Sequence, residues 1–359
     1  MLIRSIKLQN YRNYKNLDLE FNEKINIFHG DNAQGKTNLL ESLYLTGTTK
    51  SHLGTKDKDI IKFDCDVGHI ELIVEKNGVP YVIDVHLKKN DSKGIAINKI
   101  PIQRASEILG LVHFIFFSPE DLRIIKEGPS HRRRFMDMEL SQLDRIYLSN
   151  ITHYNRVINQ RNTLLRDIYK DSTGIETLDI WDIQLVEYGK KIIDEREEFI
   201  KKLNGIIGQI HLNLTGEKEN LEIIYEKNVK PRDFEKALLR NREKDLKMKS
   251  TSVGPHRDDI SFISNGIDLR YFGSQGQKRT AALSLKLSEL ELVKATINDT
   301  PILLLDDVLS ELDKKRQHYL FKSIGDIQTM ITCTGLDDVV HQYFSANKIF
   351  KVSEGRIMT

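Results

Sequence analysis

A lysine, a threonine and two aspartates carry the most telling chemistry in this chain, and they stand near its opposite ends. Lys36 and Thr37 close the segment Gly30-Asp31-Asn32-Ala33-Gln34-Gly35-Lys36-Thr37, with Asn38 following, while Asp306 and Asp307 end the apolar run Ile302-Leu303-Leu304-Leu305. Backbone N–H groups of Asp31 to Lys36 can wrap around a phosphate, helped by the positive end of the helix that follows. Lys36 then reaches the β- and γ-phosphate oxygens of ATP, and Thr37 offers its hydroxyl to Mg²⁺. Gly30 and Gly35 stand where the backbone must turn and approach the anion without a side chain. Asp306, at the tip of a buried strand, is the expected partner of the hydrated Mg²⁺, and Asp307 the expected polariser of an attacking water. A chance match in a turn and a pair of solvated acids are the bland alternatives.

The elements needed to position these groups are legible around them. Leu2 to Leu8 and Leu17 to Phe21 alternate on either side of a turn spanning Asn10 to Asn16, and a third strand, Ile25 to Phe28, runs into Gly30. A helix over Asn38 to Leu45 completes the strand, loop and helix context that a phosphate loop requires. Gly68 to Glu75 and Tyr81 to Leu87 predict antiparallel strands joined by a turn at Lys76-Asn77-Gly78. Long polar helices follow over about 130–169 and 176–214, the second with an apolar stripe through Ile180, Ile183, Val186, Ile192 and Ile193. A basic helix is expected between Pro231 and Ser250. Strand-like sequence returns at Ile260 to Ile263 and Ile267 to Arg270, then a helix from about Gln275 to Ala295, and parallel strands at Ile302 to Leu305 and Met330 to Thr334. Ser274-Gln275-Gly276-Gln277 precedes that helix, so Ser274 can cap it and leave backbone N–H groups facing an anion; an ordinary helix start reads the same way.

Composition narrows the classes. The chain has 359 residues, 39% of them hydrophobic, and a formal net charge of only +2 with 30% charged residues. Length favours two domains, and global charge says little about nucleic acid. No run approaches the roughly 20 apolar residues of a membrane helix, and Met1-Leu2-Ile3-Arg4 lacks a signal-peptide core, so a cytoplasmic protein without a membrane partner is expected. Cys65 and Cys333 lack metal-ligand spacing and read as small buried hydrophobes.

Taken together, Asn10 to Tyr14, Gly30 to Glu41, Phe117 to Leu122, Gly128-Pro129 with Arg132 to Asp137, Val253-Gly254-Pro255-His256-Arg257-Asp258-Asp259, Gly273 to Thr280 and Asp306 to Asp313 resemble the RecF family of bacterial DNA repair and replication-restart ATPases, in order and spacing across nearly the whole chain. The resemblance implies an α/β fold: an SMC-like ABC ATPase head, built on a phosphate-loop core with an antiparallel β subdomain, plus a helical lobe. Residues 1–122 and 252–359 would form the head and 123–251 the lobe. It implies an ATP-dependent homodimer, a weak DNA-stimulated ATPase, binding to duplex and gap or junction DNA, and work with RecR and RecO to load recombinase at single-strand gaps. Arg12 and Asn13 would approach the nucleotide, Asp121 would lie in the Q-loop equivalent, Ser274, Gly276 and Gln277 would act on the partner's ATP, and Ser310 to Asp313 would form a dimer-facing loop. Three departures stand out. Asp307 replaces the usual glutamate, which implies slow hydrolysis; Thr332-Cys333-Thr334-Gly335 replaces the switch histidine, leaving Asp337 as a substitute; and Leu53 stands where relatives tend to carry arginine.

His256 and Arg257 invite a catalytic reading, against a structural one in which this turn locks head to arm. For DNA the candidates are Arg132, Arg133 and Arg134, or the helix carrying Arg232, Lys236, Arg240, Arg242, Lys244, Lys247 and Lys249, with solvated surface as the alternative. The competing readings of the whole chain are a metabolic phosphotransferase, which has no use for Ser274 to Gln277, and a scaffold with a vestigial site, which the intact Lys36, Thr37 and Asp306 oppose.

Overall fold

The computed structural model describes residues 1–171, 174–335 and 348–358. Two compact units emerge, Met1–Asp121 with Glu289–Thr359, and Leu122–Ser288. The first unit begins with strands β1 (Leu2–Tyr11), β2 (Tyr14–Glu20) and β3 (Ile25–His29), then β4 (Val67–Lys76), β5 (Val79–Lys88), β6 (Gly94–Ile97), β7 (Ile100–Pro101) and β8 (Phe114–Phe117). The second unit supplies β9 (Leu221–Glu226), β10 (Asp259–Ser264) and β11 (Ile267–Asp268). The first unit then resumes with β12 (Ile302–Asp306), β13 (Thr329–Cys333), β14 (Lys348–Ser353) and β15 (Arg356–Met358).

Two sheets make the first unit. One is antiparallel, in the order β2-β1-β4-β5-β6-β7; the other runs β15-β14-β3-β13-β12-β8 and is parallel except at β15. Every residue of β8, β12 and β13 is buried, which accounts for their apolar runs: a parallel sheet covered on both faces has no polar side. Asn77 and Gly78 both take positive φ, at 53° and 76°, as the expected two-residue turn between β4 and β5 demands. The first hairpin is tighter than the sequence suggests. Its strands continue to Tyr11 and Tyr14, which pair directly, so the turn is only Arg12-Asn13, with Arg12 at φ 50°. The alternation persists because both tyrosines point into the core.

In the second unit the helices Pro129–Leu143, Arg145–Asp171 and Leu178–Thr215 pack together, and the basic segment forms two short helices, Phe234–Arg240 and Arg242–Met248. The buried stripe of Leu178–Thr215 corrects the expected one. Ile180 and Ile183 are exposed, and the stripe runs instead through Leu178, Asp182, Leu185, Ile192 and Arg196. Its polar members are buried in ion pairs, which is why the apolar period looked imperfect. Strand β9 was not anticipated; it pairs with β10, and residues 252–288 therefore sit in the same compact unit as the helices. The expected second strand of that hairpin stops at Asp268, where the side chain caps a short helix, Leu269–Phe272. Among the described residues no helix is long and apolar enough to cross a membrane.

Candidate nucleotide-binding site

The phosphate loop leaves β3, and the paired aspartates leave β12, at the same edge of one sheet. Strand β13 lies between them: Thr332 pairs with Phe28 on one side and Asp306 on the other. Carboxyl ends of parallel strands are where open α/β sheets bind ligands. The loop's backbone needs its glycines. A Cβ at Gly30, at φ 153°, would meet the Val352 carbonyl oxygen at 2.3 Å, and one at Gly35, at φ 115°, would meet the Asn13 amide at 2.5 Å. Ala33 also takes positive φ.

Asn13 is the loop's inner brace. Its Nδ2 donates to the Gln34 carbonyl at 2.8 Å, and its Oδ1 accepts from Asn38 Nδ2 at 2.9 Å. The turn between β14 and β15 braces the other side, with Glu354 N–H donating to Gln34 Oε1 at 2.6 Å and Gly355 N–H to the Gln34 carbonyl at 3.1 Å. Sequence reasoning missed this turn, although Glu354-Gly355 before Arg356 is an ordinary turn signal. Lys36 is buried and its ammonium donates to the carbonyls of Gly30 and Asp31. The helix it opens, Lys36–Thr48, has no side-chain cap and no acid in its first turn, so the first-turn N–H groups remain for an anion.

Asp306 Oδ1 accepts from Thr37 Oγ1 at 2.9 Å and from Thr332 Oγ1 at 2.7 Å. Thr332 Oγ1 in turn accepts from the Asp307 N–H at 2.9 Å, fixing the two aspartates as a unit with Asp307 at φ 51°. Thr332 had no assigned role; a hydroxyl on a fully buried strand, one neighbour away from Asp306, was the available signal. Burial raises the Asp306 carboxyl above its ordinary range, the threonine hydrogen bonds oppose this, and the Asp307 charge adds to it. Asp307 Oδ1 is buried with no hydrogen-bond partner. An edge where two carboxylates, a hydroxyl and one orphaned oxygen stand beside a single lysine offers oxygen donors that suit Mg²⁺. Asn32, Ala33, Gly35, Lys36, Thr37, Asn38, Asp306 and Asp307 line one open cleft of about 430 Å³.

The other expected residues have partners of their own. Arg12 forks onto Glu41 of the helix, at 2.9 and 2.8 Å, and also bonds the Asp59 carbonyl and Thr55. Burial would raise the Glu41 carboxyl, but hydrogen bonds from Arg12 and Ser51 outweigh it and hold it below the ordinary range. Asp121 accepts from the Ser118 N–H, Ser310 donates to the Asp307 carbonyl, and Asp313 caps the helix Lys314–Ile324. Asp337 lies outside the described residues.

In the second unit Ser274 and Gln277 cap each other's backbone: the Ser274 N–H donates to Gln277 Oε1 at 2.9 Å and the Gln277 N–H to Ser274 Oγ at 3.2 Å. Gln277 Nε2 donates to Glu219 at 3.2 Å, which orients the amide. Ser274 and Gly276 are exposed.

One expected DNA contact is corrected: Arg132 is 1% exposed and forks onto Asp259 at 2.5 and 2.9 Å, while half-buried Arg133 donates to the Asp258 carbonyl. His256 is likewise engaged, with Nδ1 at 2.7 Å from the Tyr154 hydroxyl and Nε2 at 3.0 Å from the Thr251 carbonyl. All of these residues belong to the second unit, so the motif braces the lobe internally. In the basic segment Arg242 pairs with Asp182 and Asp179, while Lys236, Arg240, Lys244 and Lys247 remain exposed.

Residues 2–357 match the RecF/RecN/SMC N terminal domain family. A DNA replication and repair protein RecF from Lachnospira eligens is 58% identical over 100% of this chain and 99% of its own length, and that from Agathobacter rectalis 57% over 99% of each. A solved structure of the recombination mediator protein RecF-ATP in the RecFOR pathway superposes with a TM-score of 0.92 at 37% identity, covering 99% of this chain and 97% of that one. The Smc head domain from Pyrococcus furiosus shares the fold alone, with a TM-score of 0.57 at 13% identity over 99% of this chain and 95% of that one. The chain belongs to the RecF family of DNA replication and repair proteins, and its fold is that of the RecF and SMC head domains.

Proposed function

We propose that this protein is an ATP-gated DNA clamp of recombinational repair and replication restart. Two copies sandwich two ATP molecules, DNA lies across the dimer, and slow hydrolysis reopens it. The relatives' role in replication and repair and the RecFOR pathway named for the solved RecF support this assignment, with RecR and RecO as partners at single-strand gaps. The observation that carries it is the half-finished character of the cleft: Lys36, Thr37 and Asp306 converge at one sheet edge, while Asp307 keeps a buried oxygen unpartnered. Bound Mg²⁺, held by Thr37 and Asp306, would offset the paired carboxylates and shield the phosphates. Lys36 steadies the transferred phosphate, and Asp307 orients water, poorly, because its side chain is a methylene shorter than glutamate.

Ser274 and Gly276 belong in this reading to the partner's ATP. The reciprocal cap holds the helix start rigid and exposed, suited to an anion delivered from outside. Sedimentation of Ser274→Arg is the test. ATP should bind with unchanged affinity while the ATP-dependent dimer is lost, and DNA binding should no longer respond to ATP. An ATP-dependent dimer that persists in this variant sinks the composite site.

A further inference from the structure

We propose that His69, Asp84 and His86 form a binding site for one divalent transition-metal ion of the Zn²⁺ class on the outer side of the antiparallel sheet. The register builds it. His69 on β4 stands directly opposite His86 on β5, and Asp84, two residues earlier on β5, faces the same way. The two imidazoles stack with centroids 4.3 Å apart, and His69 Nε2 lies 3.2 Å from Asp84 Oδ1. One ligand atom from each of the three residues falls within 4.8 Å of the others. Donors around a tetrahedral zinc sit roughly 3.3–3.5 Å apart given its bond lengths, so one pair is already at that spacing and a rotation of exposed His86 closes the rest.

A second observation points to a cation. Asp84 is only 3% exposed, and its Oδ2 is buried with no hydrogen-bond partner. A buried carboxylate oxygen left bare costs free energy that an ion would recover. On the far side of His86 the neighbouring strand presents Gly94, which has no side chain to cover the ring. Two imidazoles and a carboxylate make the three-ligand set of an open zinc site, with water in the fourth position.

The charged groups around the cluster set its terms. Lys99 places its ammonium 3.1 Å from Asp84 Oδ1 and also pairs with Glu71, which Lys7 approaches at 3.7 Å. Lys99 is 64% exposed at its side chain and can swing off the carboxylate as the ion arrives.

The full chain, stripped of metal and held in excess Mg²⁺ to occupy hard oxygen sites, is titrated with Zn²⁺ by calorimetry. One ion per chain is expected. The His69→Ala, His86→Ala double variant should bind at least about tenfold more weakly while keeping the melting temperature of the metal-free parent. Lys99→Ala should bind more tightly, because it removes the cation that competes for Asp84. Uptake should weaken from pH 7.5 to 5.5 as protons compete for the imidazoles. Zinc affinity that survives the double variant, or no saturable uptake by the parent, overturns the site.

Discussion

The phosphate-loop edge of the first unit and the Gly254–Asp259 turn of the second are both dense polar motifs, and both invite a catalytic reading from residue types alone. Their hydrogen bonds separate them. In the turn, Asp258 accepts from Arg196, from the Tyr225 hydroxyl and from the Asn228 N–H, and Arg196 spends its remaining donors on Asp137, Tyr147 and the Pro255 carbonyl. Its arginines and aspartates satisfy one another inside the lobe. At the loop edge, by contrast, two carboxylates crowd together, the helix start has no cap, and Asp307 keeps an orphaned oxygen. Buried polar groups that satisfy one another build structure; those left short of a partner, facing an open cleft, are arranged for something that arrives.

The comparison breaks most sharply at Arg196. It is 1% exposed, and Arg196→Ala would take away the guanidinium that pairs with both Asp137 and Asp258. Losing one member of a buried ion-pair network costs about 3–5 kcal/mol, so denaturant unfolding should show a collapse in stability of that order. The folded fraction should still bind ATP. If stability barely changes while ATP hydrolysis is abolished, the turn is catalytic machinery and the contrast fails.

Thr37→Val is the matching probe of the open edge. It keeps the shape but removes one of the two hydroxyls, those of Thr37 and Thr332, that donate to Asp306 Oδ1. Binding of ATP with Mg²⁺ should weaken because a metal ligand is lost, and unfolding stability should fall by no more than about 1.5–3 kcal/mol, the range for a hydrogen bond to a charged group. Calorimetry with Mg²⁺ and with chelator separates the cases. Equal weakening in both would mean that Thr37 serves the loop's structure and not the metal.

The open edge was far more legible in the sequence than the closed turn. Gly30, Gly35, Lys36 and Thr37 are dictated by local backbone and anion geometry, and their flanking strand and helix were visible as short apolar patterns. Thr332 and the Glu354-Gly355 turn complete the edge through strand pairings that no local pattern encodes. The arginines show the same limit from the other side. Arg132 and Arg133 look like a basic patch in one dimension, and only the fold brings Asp258 and Asp259 to them. The pairing of Arg12 with Glu41 was equally invisible in the sequence, because Glu41 lies on the buried face of another element. Strand β9 was hidden for a similar reason, since it joins β10 across a long stretch of intervening sequence.

His256 gives the finest test of the closed turn. Burial lowers its pKa from 6.5 to about 4, with the Arg257, Arg133 and Arg196 charges adding to the shift and the hydrogen bond to the Thr251 carbonyl opposing it. The folded protein therefore keeps the imidazole neutral at pH values where the unfolded chain protonates it. Its contribution to stability is complete above pH 6.5 and is lost as pH falls from there toward 4, with a slope of at most about 1.4 kcal/mol per pH unit. Burial raises the Asp258 carboxyl, which acts in the opposite sense at the acidic end of this window, so the parent alone would blur the two. Urea unfolding at pH 7, 6 and 5 for the parent and for His256→Asn isolates the imidazole, because the difference between their slopes contains no term from Asp258. The parent should lose stability faster than the variant as pH falls. Parallel slopes would mean that His256 is free to charge in the folded state, and the turn would then hold a titratable group poised for chemistry after all.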